Sequence, residues 1–331
     1  MNKKLISIIL PIYNEAESIA VLYDRLNGVI DSLSATYDFE IIMVDDGSAD
    51  ESWKKINQLA QLDCRIRGIS FSRNFGHQIA ISAGYDYARG DALITMDADL
   101  QHPPHLIPAL IEEWQKGAAI VYVRNRVVAN GLVKKFFSTA YYFILDCIVP
   151  IKIPHNVQDF RLIDKKVATI VRQSREQSPY LRGMVAWTGF SSTFIDAAYD
   201  KRFTGKSGYS LSKMFKLAFD GMTGFSLFPL KIAAYIGFFV IATGCTMFAY
   251  ITVDAFCNHV YYPLFKWLVT IIYIFIGVLF ILIWFLGEYI GRIYNQLQAR
   301  PLYVVAEELN SITLSNMMNE KKPLHCHCER V

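Results

Sequence analysis

Two carboxylates separated by one residue, Asp97 and Asp99, follow an apolar run of strand length, and Gln101 adds a third oxygen-bearing side chain. Oxygen ligands on a short turn suit Mg²⁺ or Mn²⁺, which can then bridge the oxygens of a diphosphate. The pair Pro103-Pro104 restricts the turn and starts the next helix. A lone Asp-x-Asp is more often a helix cap or a solvated turn, so this reading depends on the rest of the chain.

A second polar turn, Asp45-Asp46-Gly47-Ser48, follows another apolar run. A carboxylate at this place can accept hydrogen bonds from a base N–H or from ribose hydroxyls. Ser48 or Asp50 could cap the helix that follows, and a cap is compatible with a ligand role for the aspartates. The turn therefore favours nucleotide contact by at least one of the two aspartates.

The elements that carry these turns alternate between strands and helices. The apolar runs are 5–12, 39–44, 66–71, 92–96 and 120–123, and the segments with helical periodicity are 16–33, 50–62, 78–88 and 104–116. This order predicts an α/β fold with a mostly parallel, Rossmann-like sheet and helices on both faces. Ligands bind at the carboxyl ends of the strands in such sheets, so the polar turns should converge on one rim.

The second half of the chain is apolar enough to suggest a membrane. Hydrophobic residues make up 53% of the 331 residues, and segments 232–253 and 267–287 contain no Asp, Glu, Lys or Arg. At about 1.5 Å per residue each can cross a hydrocarbon core of about 30 Å. Basic residues flank the pair, whereas the loop between them carries only Lys266. We therefore expect two transmembrane helices rather than buried core helices, with the catalytic domain and both termini in the cytoplasm, at the inner (plasma) membrane.

Four further features bear on the environment and the partners. Segments 131–150 and 209–225 are amphipathic and aromatic, which suits helices at the membrane interface, although packing inside the domain is the alternative. The six cysteines lack the spacing of a disulfide framework and fit a reducing compartment. The net charge of +3 gives no indication of a nucleic-acid partner. Beyond Ala306 we expect a partly disordered tail, in which His325-Cys326-His327-Cys328 lacks a second pair at structural-zinc spacing.

Six segments in order along the chain resemble a known family. They are Pro11-Ile12-Tyr13-Asn14-Glu15, Val44-Asp45-Asp46-Gly47-Ser48, Ser72-Arg73-Asn74-Phe75-Gly76, 97–104, Asp159-Phe160-Arg161-Leu162 and 287–292. Together they resemble the inverting family 2 glycosyltransferases, which have the GT-A fold. Within that family they are most similar to the polyprenyl-phosphate group, which includes the bactoprenol glucosyltransferases and, more distantly, dolichyl-phosphate mannose synthase. The resemblance covers about residues 5–304.

The resemblance implies a role for specific residues. Pro11, Tyr13, Glu15, Asp45, Asp46, Arg73 and Asp97 would bind the nucleotide sugar, and Asp97, Asp99 and Gln101 would hold Mg²⁺ or Mn²⁺. Arg124, Arg126, Arg161, Arg202 and Lys206 would meet the acceptor phosphate, and Asp159, Asp99 and Arg202 would serve catalysis. Arg202 and Lys206 could equally be plain juxtamembrane charges. His77-Gln78 stands where related sequences often have Lys-Glu, and His105 replaces an acidic residue; neither change is expected to affect the metal.

The reaction that the resemblance implies is transfer of one hexose to a polyprenyl phosphate. UDP-glucose and undecaprenyl phosphate are the best candidates, with GDP-mannose or a UDP-N-acetylhexosamine as alternative donors. The second pKa of a phosphate monoester is about 6, so the nucleophile is already largely ionised, and Asp159 could act as a base or only orient a substrate.

Two other functions are alternatives to the transfer of a single hexose. A processive polysaccharide synthase would carry a Gln-x-x-Arg-Trp signature, and 158–162 lacks the Trp. A non-catalytic membrane subunit or a flippase would not need the intact 97–101 cluster. The oligomeric state is left open, with a homo-oligomer as one candidate. The expected division is 1–130 for nucleotide-sugar and metal binding, 131–226 for acceptor binding, 227–291 for the two spans and 292–331 for the tail.

Overall fold

The computed structural model describes residues 3–125, 157–174, 176, 179–197, 246, 257, 264–298 and 300–310. These residues belong to two compact units, one with the sheet and its helices and one with a long helix. The predicted interface segments 131–150 and 209–225 lie outside the described residues.

The first unit is built on one eight-stranded sheet. The strands are β1 (Lys4–Ile12), β2 (Tyr37–Asp45), β3 (Ile66–Phe71), β4 (Ala92–Thr95), β5 (Ile120–Asn125), β6 (Val157–Asp164), β7 (Ser192–Ala197) and β8 (Val305–Leu309). Their order is β7-β5-β6-β4-β1-β2-β3-β8, and β4, β1, β2 and β3 pair in parallel. β6 runs antiparallel to β4 and β5, while β7 is parallel to β5. The predicted mostly parallel α/β sheet is confirmed.

Helices connect these strands. They are α1 (Ile19–Leu33), α2 (Ser52–Leu62), α3 (His77–Tyr87), a 3₁₀ turn (Pro104–Leu106) that runs into α4 (Ile107–Gln115), α5 (Lys165–Gln173) and α6 (Leu181–Trp187). α1 shows why they form, since Ile19, Leu22, Leu26 and Ile30 recur at helical spacing and are buried against the sheet. The successive parallel strands thereby leave their carboxyl ends at one edge. The strand order reverses at this edge, because β4 pairs with β1 on the side opposite β2.

The second unit contains α7 (Leu264–Leu297), a helix of 34 residues. The predicted second span, 267–287, falls within its bounds, whereas all but residue 246 of the first predicted span, 232–253, lies outside the described residues. Among the residues that the structure describes, no helix meets the length and hydropathy needed for a membrane span. The two spans stay predictions.

The first residues of the tail that was expected to be partly disordered, 307–309, belong to β8. This strand pairs antiparallel with β3 and covers an edge that would otherwise present unpaired backbone groups. Side chains reinforce the pairing, because Trp53 Nε1 donates to Glu307 at 2.8 Å and the Tyr303 ring stacks on Phe71 at 5.0 Å. The remaining tail, 311–331 with its His and Cys residues, lies outside the described residues.

A buried ion pair follows α2, away from the rim. Asp63 accepts hydrogen bonds from Arg65 Nε at 2.9 Å and from the Tyr23 hydroxyl at 2.9 Å. Burial alone would raise the pKa of Asp63, but the hydrogen bonds and charge of Arg65 outweigh it and hold that pKa below its ordinary value. The ionised carboxylate therefore stabilises the folded state, and this contribution fades as the pH falls through the lowered pKa.

Asp63→Asn is expected to lower the free energy of unfolding by about 2 kcal/mol at pH 7, since Arg65 loses the carboxylate that it contacts at 2.7 Å and keeps the Asn27 amide and the more distant Asp31. The difference in free energy of unfolding from wild type should shrink below about pH 4, where Asp63 of the unfolded chain begins to protonate, and should go on shrinking as the pH falls through the lowered pKa of the folded state. Urea unfolding at pH 7 and pH 3 measures both values. Glu51→Gln, in the exposed pair with Lys54, is the control and should change little at either pH. A pH-independent cost for Asp63→Asn would contradict the ionic explanation.

Candidate active site

The turns after β1 and β2 are tied together. Asn14 has a positive φ of 54°, a conformation that Asn tolerates better than most residues. Its N–H donates to Ser48 Oγ at 2.9 Å, and its Oδ1 accepts from the N–H of Ala49 at 2.8 Å. The first two rim turns are therefore fixed relative to each other.

Asp46 fastens the turn after β3 to the same rim. Its Oδ1 accepts from the N–H of Phe75 at 2.7 Å and its Oδ2 from the N–H of Gly76 at 3.0 Å. Burial raises the pKa of Asp46, and the two backbone N–H groups only partly offset this. Asp45 is buried as well and accepts from Ser70 Oγ at 3.0 Å. Both aspartates thus shape the rim through contacts inside the protein, and their predicted contact with a nucleotide stays a prediction.

Gly47 allows the second and third turns to touch. Its φ is +65°, and a Cβ built there would overlap the Arg73 carbonyl carbon and lie 2.7 Å from the Asn74 nitrogen. The space next to the backbone of residues 73 and 74 therefore has no room for a side chain.

Gly47→Ala is expected to lower the free energy of unfolding by about 2–3 kcal/mol, because the left-handed backbone and the overlap both strain the fold. The activity of the site should fall by at least about tenfold, since the displaced turn leads directly into His77. Gly28→Ala is the matched control. Gly28 lies inside α1 with open space around a Cβ, and this change should stabilise the protein by about 0.5–1 kcal/mol. Equal melting temperatures of Gly47→Ala and Gly28→Ala would contradict the steric argument.

The turn after β4 is held by a buried histidine. The Asp97 N–H donates to His102 Nδ1 at 2.8 Å, so that nitrogen carries no proton. The His102 ring is fully buried and stacks on Phe160 at 5.1 Å. His102 therefore supports the backbone of the Asp-x-Asp motif from behind.

The same turn contains a strained residue. Leu100 has a φ of 64° and is buried, and the left-handed region costs an ordinary L-residue about 1–2 kcal/mol. The strain lies between Asp99 and Gln101, where the Gln101 N–H donates to Asp99 Oδ1 at 3.1 Å. The 97–101 segment is thus a fixed loop rather than a loose turn.

Asp97 is the residue of the motif best suited to a cation. Its Oδ1 is buried and accepts no hydrogen bond in the described part of the chain, and it faces the His77 ring, whose Nε2 lies 3.3 Å away. Within the described residues, no group of three or more His, Cys, Asp or Glu side chains is placed to hold a metal ion. The carboxylates of Asp97 and Asp99 and the Gln101 amide are oxygen donors of the kind that Mg²⁺ and Mn²⁺ prefer, and a metal at this loop stays a prediction.

Asp159 on β6 lies at the centre of a charged cluster and is only 3% exposed. It is surrounded by Gln78 Nε2 at 3.2 Å, Arg182 Nη2 at 3.3 Å, Arg161 Nη2 at 3.6 Å and His77 Nε2 at 3.6 Å. Burial raises the pKa of Asp159, but the positive charges of Arg182, His77 and Arg161 outweigh it and hold the pKa well below its usual range. A carboxylate so strongly ionised is a weak base, which favours an orienting role.

His77 connects this cluster to the Asp-x-Asp motif. Its Nε2 lies 3.3 Å from Asp97 Oδ1 as well as 3.6 Å from Asp159. Burial lowers the pKa of His77, but Asp97 and Asp159 outweigh it and raise the pKa to about 9, so the ring is charged at neutral pH. His77 and Arg182 were not among the predicted site residues. His77 stood out in the sequence only as a departure from related sequences, and no spacing signal pointed to Arg182.

Two predicted acceptor-phosphate residues have other partners. Arg161 is fully buried, and its Nε donates to the Tyr85 hydroxyl at 3.4 Å. Arg124 makes a bidentate contact with Asp196, with Nε to Oδ1 at 2.6 Å and Nη2 to Oδ2 at 3.0 Å. Arg126, Arg202 and Lys206 lie outside the described residues.

The remaining predicted nucleotide residues follow β1 and β3. Tyr13 is about half exposed, and Pro11 is buried at the end of β1. Glu15 Oε2 accepts from Ser18 Oγ at 3.1 Å, and the Arg73 guanidinium stacks on the Phe75 ring at 4.0 Å. The rim therefore presents an aromatic ring and an exposed cation beside the carboxylates.

Comparison with known proteins identifies the class. A model of glycosyl transferase family 2 matches residues 7–170. An uncharacterised glycosyltransferase of Bacillus subtilis is 41% identical over 303 residues, covering 90% of this chain and 92% of the relative. A bactoprenol glucosyl transferase of Shigella phage SfV is 37% identical over 307 residues, covering 92% and 98%. The chain belongs to glycosyl transferase family 2.

A solved structure is similar at a lower level. The crystal structure of glucosyl-3-phosphoglycerate synthase from Mycobacterium tuberculosis shares 18% identity, with a TM-score of 0.44 over 66% of this chain and 78% of the other.

Proposed function

We propose that this glycosyltransferase transfers one hexose from a nucleotide sugar to a polyprenyl phosphate with inversion at the anomeric carbon. UDP-glucose and undecaprenyl phosphate are the preferred substrates of this proposal. The name and near-complete coverage of the phage bactoprenol glucosyl transferase support a lipid carrier as acceptor. The observation that carries the proposal is the cluster at the carboxyl edge of the sheet, where His77 faces both Asp97 and Asp159.

Each carboxylate has a distinct part in the proposed reaction. Asp97, with Asp99 and Gln101, would hold Mg²⁺ or Mn²⁺, and such an ion stabilises the charge on the departing nucleoside diphosphate. Asp159 stays ionised and orients the sugar or the acceptor through its contacts with Arg182 and Gln78. A phosphate acceptor with a second pKa of about 6 needs no general base near neutral pH. The transfer therefore depends on positioning more than on proton removal.

The proposed location is the cytosolic face of the plasma membrane. Segments 232–253 and 267–287 lack charged residues and would anchor the chain there. The basic residues that precede 232 and follow 287 support cytoplasmic placement of both termini and of the catalytic unit.

The test uses the full chain in native membranes, with undecaprenyl phosphate, Mg²⁺ and a panel of UDP- and GDP-sugars, followed by mass analysis of the lipid. We expect the lipid to gain one hexose with UDP-glucose and to gain nothing in membranes without the protein. If the lipid gains a single sugar from GDP-mannose or a UDP-N-acetylhexosamine instead, only the donor in the proposal changes. A polymer would favour a processive synthase, and an unmodified lipid with every donor would contradict lipid glycosylation.

A further inference from the structure

Gln78 on α3 contacts two partners that lie far from it in the sequence. Its Nε2 donates to Asp159 Oδ2 at 3.2 Å. Its Oε1 accepts from the N–H of Leu181, 103 residues further along the chain, at 3.3 Å. The Gln78 side chain is half-buried, whereas Asp159 and Leu181 are buried. Both ends of one amide group are therefore used inside the charged cluster.

The two partners determine which side chain suits position 78. An ionised carboxylate only accepts hydrogen bonds, and a backbone N–H only donates. A side chain that satisfies both needs a donor and an acceptor at the end of one stem, and the amide of Gln provides this pair. The same partners fix the orientation of the amide, with Nε2 toward Asp159. Gln78 is thus matched to both contacts.

Arg182 completes a closed ring of contacts. It follows Leu181 directly, and its guanidinium donates to Asp159 from Nε to Oδ1 at 3.4 Å and from Nη2 to Oδ2 at 3.3 Å. The ring therefore runs from Asp159 through Gln78 to the backbone of Leu181 and returns through Arg182. Three elements meet in it, namely α3, β6 and α6. The start of α6 and the Asp159 carboxylate cannot shift relative to each other unless one of these contacts breaks.

The charged members of the ring lie at different depths. The Arg182 side chain is 20% exposed, whereas that of Asp159 is 4% exposed. The guanidinium is therefore the part of the ring nearer to solvent, and the carboxylate lies deeper. Gln78 contacts the carboxylate and the start of the helix that carries the guanidinium, so it can hold both groups without touching a substrate itself.

We propose that Gln78 is a positioning residue for sugar transfer, because its amide closes the ring and fixes Asp159 and Arg182 relative to each other. The inference rests on the proposed function, in which Asp159 orients a substrate. The nucleotide in that function is bound at the turns after β1 to β4. Loss of the ring therefore changes the geometry of the reacting groups, which lowers kcat, more than it changes the binding of the donor.

The kinetic test compares Gln78→Met with Gln61→Met in the full chain. Methionine has a similar length and lacks the amide. Gln61 is an exposed residue of α2 whose amide donates to Asn57, so it is the matched control. With undecaprenyl phosphate and the donor that wild type uses, Gln78→Met should lower kcat at least about tenfold and change KM for the donor less than about twofold. Gln61→Met should leave both constants within about twofold of wild type.

Hydrogen–deuterium exchange tests the ring without a substrate. The N–H of Leu181 loses its acceptor in Gln78→Met, so peptides that contain this residue should exchange at least about tenfold faster than in wild type. The same peptides of Gln61→Met should exchange as in wild type. This measurement also shows whether Gln78→Met is folded, because peptides of β1 and β2 should keep their slow exchange.

Four results would overturn the proposal. Unchanged exchange at Leu181 in Gln78→Met would show that the ring does not hold α6. Faster exchange with an unchanged kcat would show that the ring only stabilises the fold. A rise in KM for the donor without a fall in kcat would assign Gln78 to donor binding. Folded wild type that transfers no sugar from any donor would overturn the proposed function and the positioning role with it, and the exchange result would still show whether the ring forms.

Discussion

Asp159→Asn is expected to lower the free energy of unfolding by about 3–5 kcal/mol, because it leaves the fully buried Arg161 without a counter-charge. For a unit of this size, the melting temperature should fall by about 10 °C. Thermal unfolding of the full chain in detergent measures the shift. The matched control is Asp196→Asn, which breaks the more exposed pair with Arg124 and should cost less than about 1 kcal/mol. Equal shifts for the two variants would show that the Asp159 cluster adds no more than a surface pair.

The catalytic role of Asp159 can be separated from its structural role by pH dependence. Its lowered pKa means that the wild-type carboxylate does not titrate near neutral pH. Sugar transfer by Asp159→Asn at a temperature where it stays folded should therefore differ from wild type by a constant factor between about pH 6.5 and 8.5. A factor that changes tenfold per pH unit in this range would support the general-base alternative.

Asp97→Asn is expected to lower the rate of sugar transfer by about 10²–10³-fold. The change keeps the size of the side chain and the backbone contact of residue 97 to His102, but it removes the charge that faces His77 and that would hold the proposed cation. Initial rates with UDP-glucose and saturating Mg²⁺ or Mn²⁺ measure the loss.

The control for Asp97→Asn is Asp38→Asn. Asp38 is an exposed residue at the amino end of β2, opposite the rim, and its replacement should leave the rate within about twofold of wild type. Asp97→Asn with a normal rate at saturating metal would contradict the proposed place of the ion.

The first four strands and the rim could be predicted from the sequence because local signals determine them. Each apolar run ends at a polar turn, and parallel pairing then brings the ends to one edge. Asp45 and Asp46 show the limit of this reasoning. Their position on the rim follows from the pattern, but their hydrogen bonds to Ser70 and the backbone of 75–76 depend on how the turns fold against each other.

The charged cluster could not be predicted because its members meet only through tertiary packing. Gln78 on α3 contacts both Asp159 on β6 and the N–H of Leu181 at the start of α6, 103 residues away from Gln78. The sequence shows that residue 161 is an arginine. It does not show that this arginine is buried beneath the site, where it cannot bind a phosphate of the acceptor. A basic residue near a motif shows only that a positive charge is present. The fold shows whether that charge is buried beneath the site or exposed in it.

The pairing of β8 with β3 has a consequence for how the protein is made. Asn310 Nδ2 donates to the carbonyl of Ile66, 244 residues earlier in the chain. The ribosome therefore makes β1 to β7 and all of α7 before it makes β8, the strand that covers the edge of β3. During that interval the open edge of β3 can pair with another chain, so nascent protein should depend on chaperones most in the last stage of synthesis.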